Sequence, residues 1–344
     1  MSQYLFRRRD ALRLGGIGAA SVLSVSLRDA RAKTAAPIKV NIVNTASNVT
    51  YTIQQLLKNK GWLEDFGLEP ITQNVSDGGK LMGALLSGGS DICLLSGFGQ
   101  VLVAIEKGAA LKVVGGAALL PEQAVFAKKP EIKTLKDLEG RTVGTGSVGA
   151  LLYQLMVTLM EKKGVDIKKV KFVNIGSSAD VFRAIVAGTV DAGPSLYDVY
   201  AEQARFGVHS LTDGNFWTQL PEYTYQGSYV SDQAIAHKRD ALVRVLAAYC
   251  KAYRFISSPN SLPDYIKARQ EALKGDPKLA AKEATTEWGF VQKYKPYATD
   301  LVLSKKRIDY MQGLNVKFGL QKHVLPYEKV TDMSLAEDAV KLLA

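Results

Sequence analysis

Hydroxyl and amide side chains gather at six points where a short, β-rich run gives way to a helical pattern. Backbone N–H groups at a helix start lack intrahelical partners and carry the positive end of the helix dipole. With neighbouring hydroxyls they can bind an oxyanion or an acceptor-rich ring, so the pattern predicts noncovalent binding of a small solute. We expect the contacts to come from Thr45, Ser47, Asn48, Ser76, Asp77, Ser96, Gly97, Gln100, Thr145, Gly146, Ser147, Ser177, Ser178, Ser195, Tyr197, Asp198 and Tyr225.

Charged and aromatic residues leave several kinds of solute open. Lys80 is the only basic residue in these junctions, so an oxyanion would be held by N–H groups and hydroxyls. Asp77 and Asp198 would instead favour a solute with amine or hydroxyl donors. Four aromatic residues could stack on a ring: Tyr51, Phe98, Tyr197 and Tyr225. An oxyanion, an acceptor-rich ring, a small aromatic acid and a solute with donor groups all fit this pattern.

Patterns typical of catalysis or of a cofactor are missing from the sequence. The three histidines lie far apart and have no partner at metal-ligand spacing, so we expect neither a metal nor another cofactor. Ser147 lies in GTGSVG, which lacks the G-x-S-x-G spacing of a serine nucleophile. We therefore predict that the protein is not an enzyme. Cys93 and Cys250 are either two buried thiols or, in an oxidising compartment, a disulfide.

The first 32 residues are typical of a cleaved export signal. Three arginines at positions 7–9 precede a 14-residue uncharged stretch, Leu14–Leu27, and Ala30-Arg31-Ala32 fits a cleavage site. Because a bilayer-spanning helix needs about 20 apolar residues, the stretch is too short to anchor the chain. The string RRDALRLGG resembles a twin-arginine signal, and no cysteine offers a lipoprotein attachment site before residue 93. We expect a periplasmic protein, with the exact cleavage position left open.

The net charge of the mature chain does not indicate a nucleic-acid partner. The signal holds six Arg and two Asp, so its removal lowers the formal net charge from +11 to +7. The remaining lysines are scattered, without a Gly-rich or aromatic-interleaved tract that would suit a phosphate backbone. The mature length suits two domains.

From Ile38 onwards, β-rich runs alternate with helical patterns, which predicts an α/β fold. The segment ALLSGGSD at residues 84–91 recurs as AIVAGTVD at residues 184–191, and in each copy a glycine ends a helix and an aspartate leads into a strand. This repeat predicts two similar lobes, lobe 1 from residues 37–128 plus 230–344 and lobe 2 from residues 129–229. In this division the strand at 123–128 leaves lobe 1, and the late helices pack on lobe 1.

Four segments together carry a family resemblance: IKVNIVNTASN, LMGALLSGGSDICLLSGFG, TLKDLEGRTVGTGSVG and VFRAIVAGTVDAGPSLYD. Over residues 37–260 the chain resembles solute-binding proteins of ABC importers, in the group that handles aliphatic sulfonates, taurine, nitrate and thiamine-precursor pyrimidines. The resemblance implies a periplasmic-binding-protein-like fold of two α/β lobes, with a ligand cleft, two crossover strands and closure by hinge bending. It also implies a monomer whose partners are a small-molecule ligand and an ABC permease in the inner membrane.

Two other functions use the same fold. A periplasmic sensor domain reports its ligand to a membrane receptor, and its docking surface looks like that of a transport protein in sequence. Pyrimidine-synthase-like enzymes consume their own histidine, but no histidine lies in the predicted cleft junctions here. The resemblance therefore favours transport over sensing, and either of these over catalysis.

Overall fold

The computed structural model describes residues 36–76, 78–200 and 202–344, and only the backbone of Asp198. The predicted export signal and the predicted contact residue Asp77 lie outside the described residues. Residues Ile38–Ala344 form one compact unit built on two five-stranded sheets.

The first sheet forms the base of lobe 1. In spatial order it contains β2 (Leu68–Val75), β1 (Ile38–Thr45), β3 (Ile92–Ser96), β10 (Gly227–Ser231) and β4 (Leu111–Gly116). Along the chain, β1 to β4 are connected by α1 (Asn48–Lys60), α2 (Trp62–Asp65), α3 (Gly78–Leu86) and α4 (Gly99–Glu106). β1 runs parallel to β2 and β3, whereas β10 is antiparallel to both of its neighbours. All residues of β3 are buried, as expected for a central strand covered on both faces.

The second sheet repeats this plan in lobe 2. In spatial order it contains β7 (Lys171–Asn174), β6 (Thr142–Thr145), β8 (Ala192–Leu196), β5 (Gln123–Ala127) and β9 (His209–Asn215). Its helices are α5 (Leu151–Lys162), α6 (Ser178–Ala187), α7 (Tyr197–Tyr200) and α8 (Phe216–Gln219), with 3₁₀ turns at Leu135–Leu138, Ile167–Lys169 and Gln203–Phe206. β6 is parallel to β7 and β8, and β5 is the antiparallel strand. The predicted fold of two α/β lobes is confirmed.

One strand predicted in lobe 1 lies in lobe 2. The predicted lobe 1 included residues 123–128, but β5 pairs with β8 and β9 in the second sheet. Every residue of β5 is buried, and an apolar run of this kind fits the centre of either sheet. Its place is therefore decided by pairing partners far away in sequence. The chain crosses to lobe 2 before Gln123 and is back in lobe 1 by Gly227.

The two segments that cross between the lobes lie side by side. The Ala117 N–H donates to the Gln226 carbonyl at 3.0 Å, and the Gln226 N–H donates to the Ala118 carbonyl at 2.8 Å. A third segment joins them, because the Ala298 N–H donates to the Ala117 carbonyl at 2.8 Å. These segments form a hydrogen-bonded ribbon between the lobes.

The last third of the chain is helical. It contains α9 (Asp232–Ile256), α10 (Leu262–Ala272), α11 (Pro277–Tyr294), α12 (Lys305–Lys317), α13 (Tyr327–Val330) and α14 (Ser334–Lys341). α10 packs on α1, α12 on α4 and α14 on β4, all in lobe 1. α11 differs from the prediction, since Phe290 packs on Trp217 of lobe 2 and Lys282 pairs with Glu202 at 2.6 Å. Large aromatic surfaces on both elements explain this contact.

The repeated segment forms the same turn in both lobes. Its glycine takes a left-handed conformation in each copy, with φ of 74° and 77°. The Asn41 N–H donates to Asp91 Oδ2 at 2.8 Å, and the Thr142 N–H donates to Asp191 Oδ2 at 2.9 Å. Each aspartate therefore ties its turn to a strand of its own sheet, β1 in lobe 1 and β6 in lobe 2. The role of the repeat is structural.

Candidate solute-binding site

A cavity of about 470 Å³ lies between the two lobes. Strand ends from both sheets reach it, including Ser96 from β3 and Ser195 from β8. Its volume lies in the range of small-molecule sites. The following predicted contact residues line this cavity: Thr45, Ser47, Asn48, Ser76, Ser96, Gly97, Gln100, Gly146, Ser177, Ser178, Ser195 and Tyr225.

Five helices begin at the cavity. α1, α3 and α4 of lobe 1 and α5 and α6 of lobe 2 each place first-turn residues on its wall: Asn48, Gly78, Gly99, Leu151 and Ser178. Each helix start contributes a positive partial charge and N–H groups that lack partners within the helix. The cavity is therefore suited to negative charge or to hydrogen-bond acceptors, on both of its walls.

Two of the lining serines cap the helices that begin at the cavity. The Thr50 N–H donates to Ser47 Oγ at 3.1 Å, and the Asp180 N–H donates to Ser177 Oγ at 3.3 Å. A serine in this position satisfies one of the unpaired N–H groups of its helix. These two hydroxyls therefore fix where α1 and α6 begin.

The hydroxyls at the strand ends are also held in place. Thr45 donates to Ser96 Oγ at 2.7 Å, which links the ends of two neighbouring strands in lobe 1. In lobe 2, Ser195 donates to the Ser178 carbonyl at 3.1 Å. The polar groups on the walls are thus positioned by neighbouring residues before any solute binds.

Two predicted contact residues near residue 145 do not line the cavity. Thr145 is buried and donates to the Gly146 carbonyl at 2.9 Å, which turns its hydroxyl inwards. Ser147 lines an adjoining cavity of about 520 Å³, together with Ser76 and Gln100. Ser147 is exposed in the loop between β6 and α5.

Some predicted aromatic contacts are part of the core. Tyr197 stacks on Tyr200, with ring centroids 5.4 Å apart, and contacts Phe290 at 4.8 Å. Phe98 is fully buried in lobe 1. Of the four aromatic residues considered for ring stacking, Tyr51 and Tyr225 line the cavity. The Asp198 side chain lies outside the described part of the protein.

Arg183 is a cavity residue that the sequence analysis missed. It lies on α6, and its guanidinium contacts the Asp180 carboxylate one helical turn earlier. Ala179, Phe182 and Arg183 line the cavity and have the i, i+3, i+4 spacing of one helix face, so helical periodicity could have revealed them. The expectation that N–H groups and hydroxyls alone would meet an anion was therefore incomplete.

Glu283 is a second charged residue that was missed. It lies on α11, lines the same cavity, and its Oε2 is 3.9 Å from Nη1 of the buried Arg269. Burial raises the pKa of the Glu283 carboxyl, and the Arg269 charge offsets only part of this effect. Nothing in the sequence of α11 marks this position, because its contact with the cavity depends on how the helix packs.

A buried polar cluster joins the lobes beside the cavity. Gln154 of α5 donates to Asn315 Oδ1 at 2.6 Å, and Asn315 donates to the Gly99 carbonyl at 2.9 Å. Tyr223 donates to Gln154 Oε1 at 3.3 Å. A side chain at Gly99 would overlap the Gln154 amide, so any larger residue there would displace Gln154 from this cluster.

The cysteines lie away from the cavity lining. Cys93 and Cys250 are buried free thiols, and burial raises the pKa of Cys93 to about 12. In the part of the chain that the structure describes, no three His, Cys, Asp or Glu side chains are grouped as metal ligands. Among these same residues, no helix has both the length and the apolar character to cross a membrane.

Two similar α/β lobes, joined by crossing segments around a polar cavity, define the class of periplasmic-binding-protein folds. The chain belongs to the family described as NMT1/THI5 like, whose sequence model matches residues 48–260.

Individual relatives share the architecture at low sequence identity. A protein named putative binding protein YtlA, from Bacillus subtilis, is 23% identical over 313 residues, which cover 87% of this chain and 89% of that one. The alkanesulfonate-binding protein SsuA from Xanthomonas axonopodis pv. citri, solved with MOPS bound, matches with a TM-score of 0.68 and 19% identity over 88% of this chain and 99% of its own. The nitrate-binding protein NrtA from Synechocystis PCC 6803 matches with a TM-score of 0.71 and 11% identity over 89% of each chain.

An enzyme also shares this fold. The desulfurization enzyme DSZB matches with a TM-score of 0.60 and 13% identity, over 89% of this chain and 100% of its own. Since one fold carries both binding proteins and an enzyme, function has to be argued from the residues of the cavity.

Proposed function

We propose that this protein binds a small solute between its lobes in the periplasm and delivers it to an ABC importer in the inner membrane. The observation that carries the proposal is the meeting of five helix N-termini, from both lobes, with Arg183 at one cavity. Such an arrangement stabilises a bound anion or acceptor group through N–H groups and helix dipoles. The names of the binding proteins that share its fold support the same function.

The wall of lobe 2 adds an apolar surface to this polar site. Leu151, Leu152, Phe182, Leu196 and Val199 line the cavity together with the helix starts. We therefore propose a solute with an acceptor or anionic group and an apolar part. A sulfonate, a pyrimidine-type compound and a small aromatic acid meet this description, and nitrate would use the polar part alone.

In this proposal the lobes close on the solute by bending at the ribbon of crossing segments. Contacts from both walls would then form together only in the closed state, which the permease would recognise.

The protein would act as a monomer, after removal of the export signal at residues 1–32. The solute would leave chemically unchanged, so its NMR spectrum after overnight incubation with the protein should equal that of a protein-free sample.

Binding can be tested on the mature chain by thermal shift with sulfonates, nitrate, pyrimidines and small aromatic acids. A ligand at about 100 times its Kd stabilises the native state by about 2.7 kcal/mol, which raises the melting temperature measurably. For an anionic ligand found in this way, Arg183→Gln should weaken binding about tenfold in calorimetry, since a charged hydrogen-bond donor is lost. The control is Arg239→Gln, which removes a surface arginine that pairs with Asp338 outside the cavity.

Two results would contradict this proposal. One is the absence of any shift across the whole panel at millimolar concentration. The other is a confirmed anionic ligand whose affinity falls equally in the Arg183→Gln and Arg239→Gln proteins, because that result would mean that the guanidinium at the cavity makes no special contribution.

A further inference from the structure

Glu283 places a carboxylate at a cavity whose helix starts favour negative charge. It comes from α11, a helix that follows the segment matched by the family model. Arg183 and Ser178 of lobe 2 line the same cavity. A solute that offered only acceptor groups would satisfy the helix starts and leave Glu283 facing repulsion or an empty space. The charge at this position therefore requires an explanation of its own.

The ion pair with Arg269 does not account for Glu283. Arg269 is fully buried, and its guanidinium is bound directly to Glu287 and to the Thr52 hydroxyl. Its Nη1 stays 3.9 Å from Glu283 Oε2, which is too long for a hydrogen bond. Arg269 is thus held by direct contacts to Thr52 and Glu287, and it gives Glu283 no direct hydrogen bond.

The Glu283 carboxylate is open to the cavity. The side chain is 22% exposed, and within the described residues no donor lies at hydrogen-bond distance from its oxygens. Partial burial without a direct donor costs stability, because water is removed from a charge without full replacement. A bound group that donates hydrogen bonds would supply the missing partner.

Resting on the proposed binding function, we propose that Glu283 selects solutes that carry an amino or hydroxyl donor at one end. The helix starts and Arg183 bind the acceptor or anionic end, and Glu283 binds the donor end. The preferred solute is then bipolar, for example an amino-substituted sulfonate or carboxylate. Nitrate and unsubstituted alkyl sulfonates lack the donor and would be poor ligands.

The test compares ligands that differ only in the donor. Affinities are measured by calorimetry for butanesulfonate against 4-aminobutanesulfonate, benzenesulfonate against 4-(aminomethyl)benzenesulfonate, and benzoate against 4-(aminomethyl)benzoate. We expect the amino member of at least one pair to bind about tenfold more tightly, or more, since its ammonium forms a charge-assisted hydrogen bond. Glu283→Gln should remove this difference, while the unsubstituted member binds at least as tightly as it does to the wild type.

Two further variants show whether any change in affinity depends on a carboxylate at position 283. Glu283→Asp keeps the charge beside Arg269 but shortens its reach, so it should retain part of the preference for the amino ligand. Glu131→Gln removes the same charge from an exposed position outside the cavity and should leave every affinity unchanged. Melting curves of all variants show whether each one is folded at the temperature of the titration.

The outcomes separate the two proposals. If the two members bind equally well in every pair that binds at all, or if Glu283→Gln keeps the preference, the role of Glu283 is refuted while the binding function stands. If no member of any pair binds, sulfonates and small aromatic acids are not ligands, and the proposed preference of Glu283 for their amino forms is refuted. A preference lost in Glu283→Gln and kept in Glu131→Gln supports the proposal.

Discussion

Removing Asp91 tests how much the repeated turn contributes to the stability of lobe 1. Asp91 accepts the Asn41 N–H at 2.8 Å and pairs with Lys238 at 2.8 Å, and its side chain is only 7% exposed. A hydrogen bond to a charged group contributes about 1.5–3 kcal/mol. The pair with the partly exposed Lys238 adds up to about 1 kcal/mol. We therefore expect Asp91→Ala to lower the free energy of unfolding by about 3 kcal/mol.

The second lobe supplies a matched comparison. Asp191 accepts the Thr142 N–H at 2.9 Å and pairs with Lys129 at 2.6 Å, but its side chain is 18% exposed. Because water screens its interactions more, Asp191→Ala should cost about 2 kcal/mol. Asp91→Asn keeps an oxygen for the Asn41 N–H and should cost about 1 kcal/mol.

Urea denaturation of the mature protein measures these differences. The control is Asp65→Ala, which removes a carboxylate that is 63% exposed and should change the unfolding free energy by less than about 0.5 kcal/mol. If Asp91→Ala were no more destabilising than Asp65→Ala, the turn aspartate would not hold β1 in place, and the structural account of the repeat would be wrong.

The pH dependence offers a second measure of the same contact. Burial alone would raise the pKa of Asp191, but the Lys129 ammonium and the Thr142 N–H more than offset it and hold the pKa below its usual value. A lowered pKa contributes stability above the pKa of the unfolded chain, and this contribution is lost as the pH falls through the native pKa. The destabilisation by Asp191→Ala should therefore shrink below about pH 4.

Three other substitutions and one labelling experiment have defined outcomes. Burial raises the pKa of Glu283, so its charged form costs stability at neutral pH. Glu283→Gln should therefore melt at a higher temperature than the wild type at pH 7 but not near pH 4. An equal difference in melting temperature at both pH values would contradict this prediction. Gly99→Ala should lower the unfolding free energy by about 1–3 kcal/mol in urea, because its methyl group would displace the Gln154 amide. Gly289→Ala has space in a helix and should instead stabilise by about 0.5–1 kcal/mol. The Cys93 thiol should react with a thiol reagent only after unfolding, and rapid labelling of the native protein would count against its burial.

Local chemistry made much of the cavity wall predictable. Ser47 and Ser177 were found because a serine before a helical pattern is a strong N-cap signal, and the structure shows both in that role. Strand-end residues such as Ser96 and Ser195 follow from the rule that sites lie beyond the carboxyl ends of parallel strands. The same signals do not say where a side chain points, so Thr145 and Tyr197 were misplaced.

The lobe that contains β5 and the position of Glu283 depended on which distant segments pack together. β5 is equally apolar in either sheet, and only its pairing with β8 and β9 assigns it to lobe 2. Glu283 lies far along the chain on a helix with no distinctive pattern, and it reaches the cavity because aromatic residues such as Phe290 hold α11 against lobe 2.

By itself the sequence determined the α/β class, the two repeated turns and the helix starts that face the cavity, since glycine at a helix end and serine at a helix start act through their own backbone. The tertiary structure alone decided how the chain is shared between the lobes and that Glu283 lines the same cavity as Arg183. Arg183 and Glu283 belong to different segments and meet only when lobe 2 and α11 pack around the same space. Burial, electrostatics and shape at that cavity are properties of the packed lobes, and no local pattern specifies them.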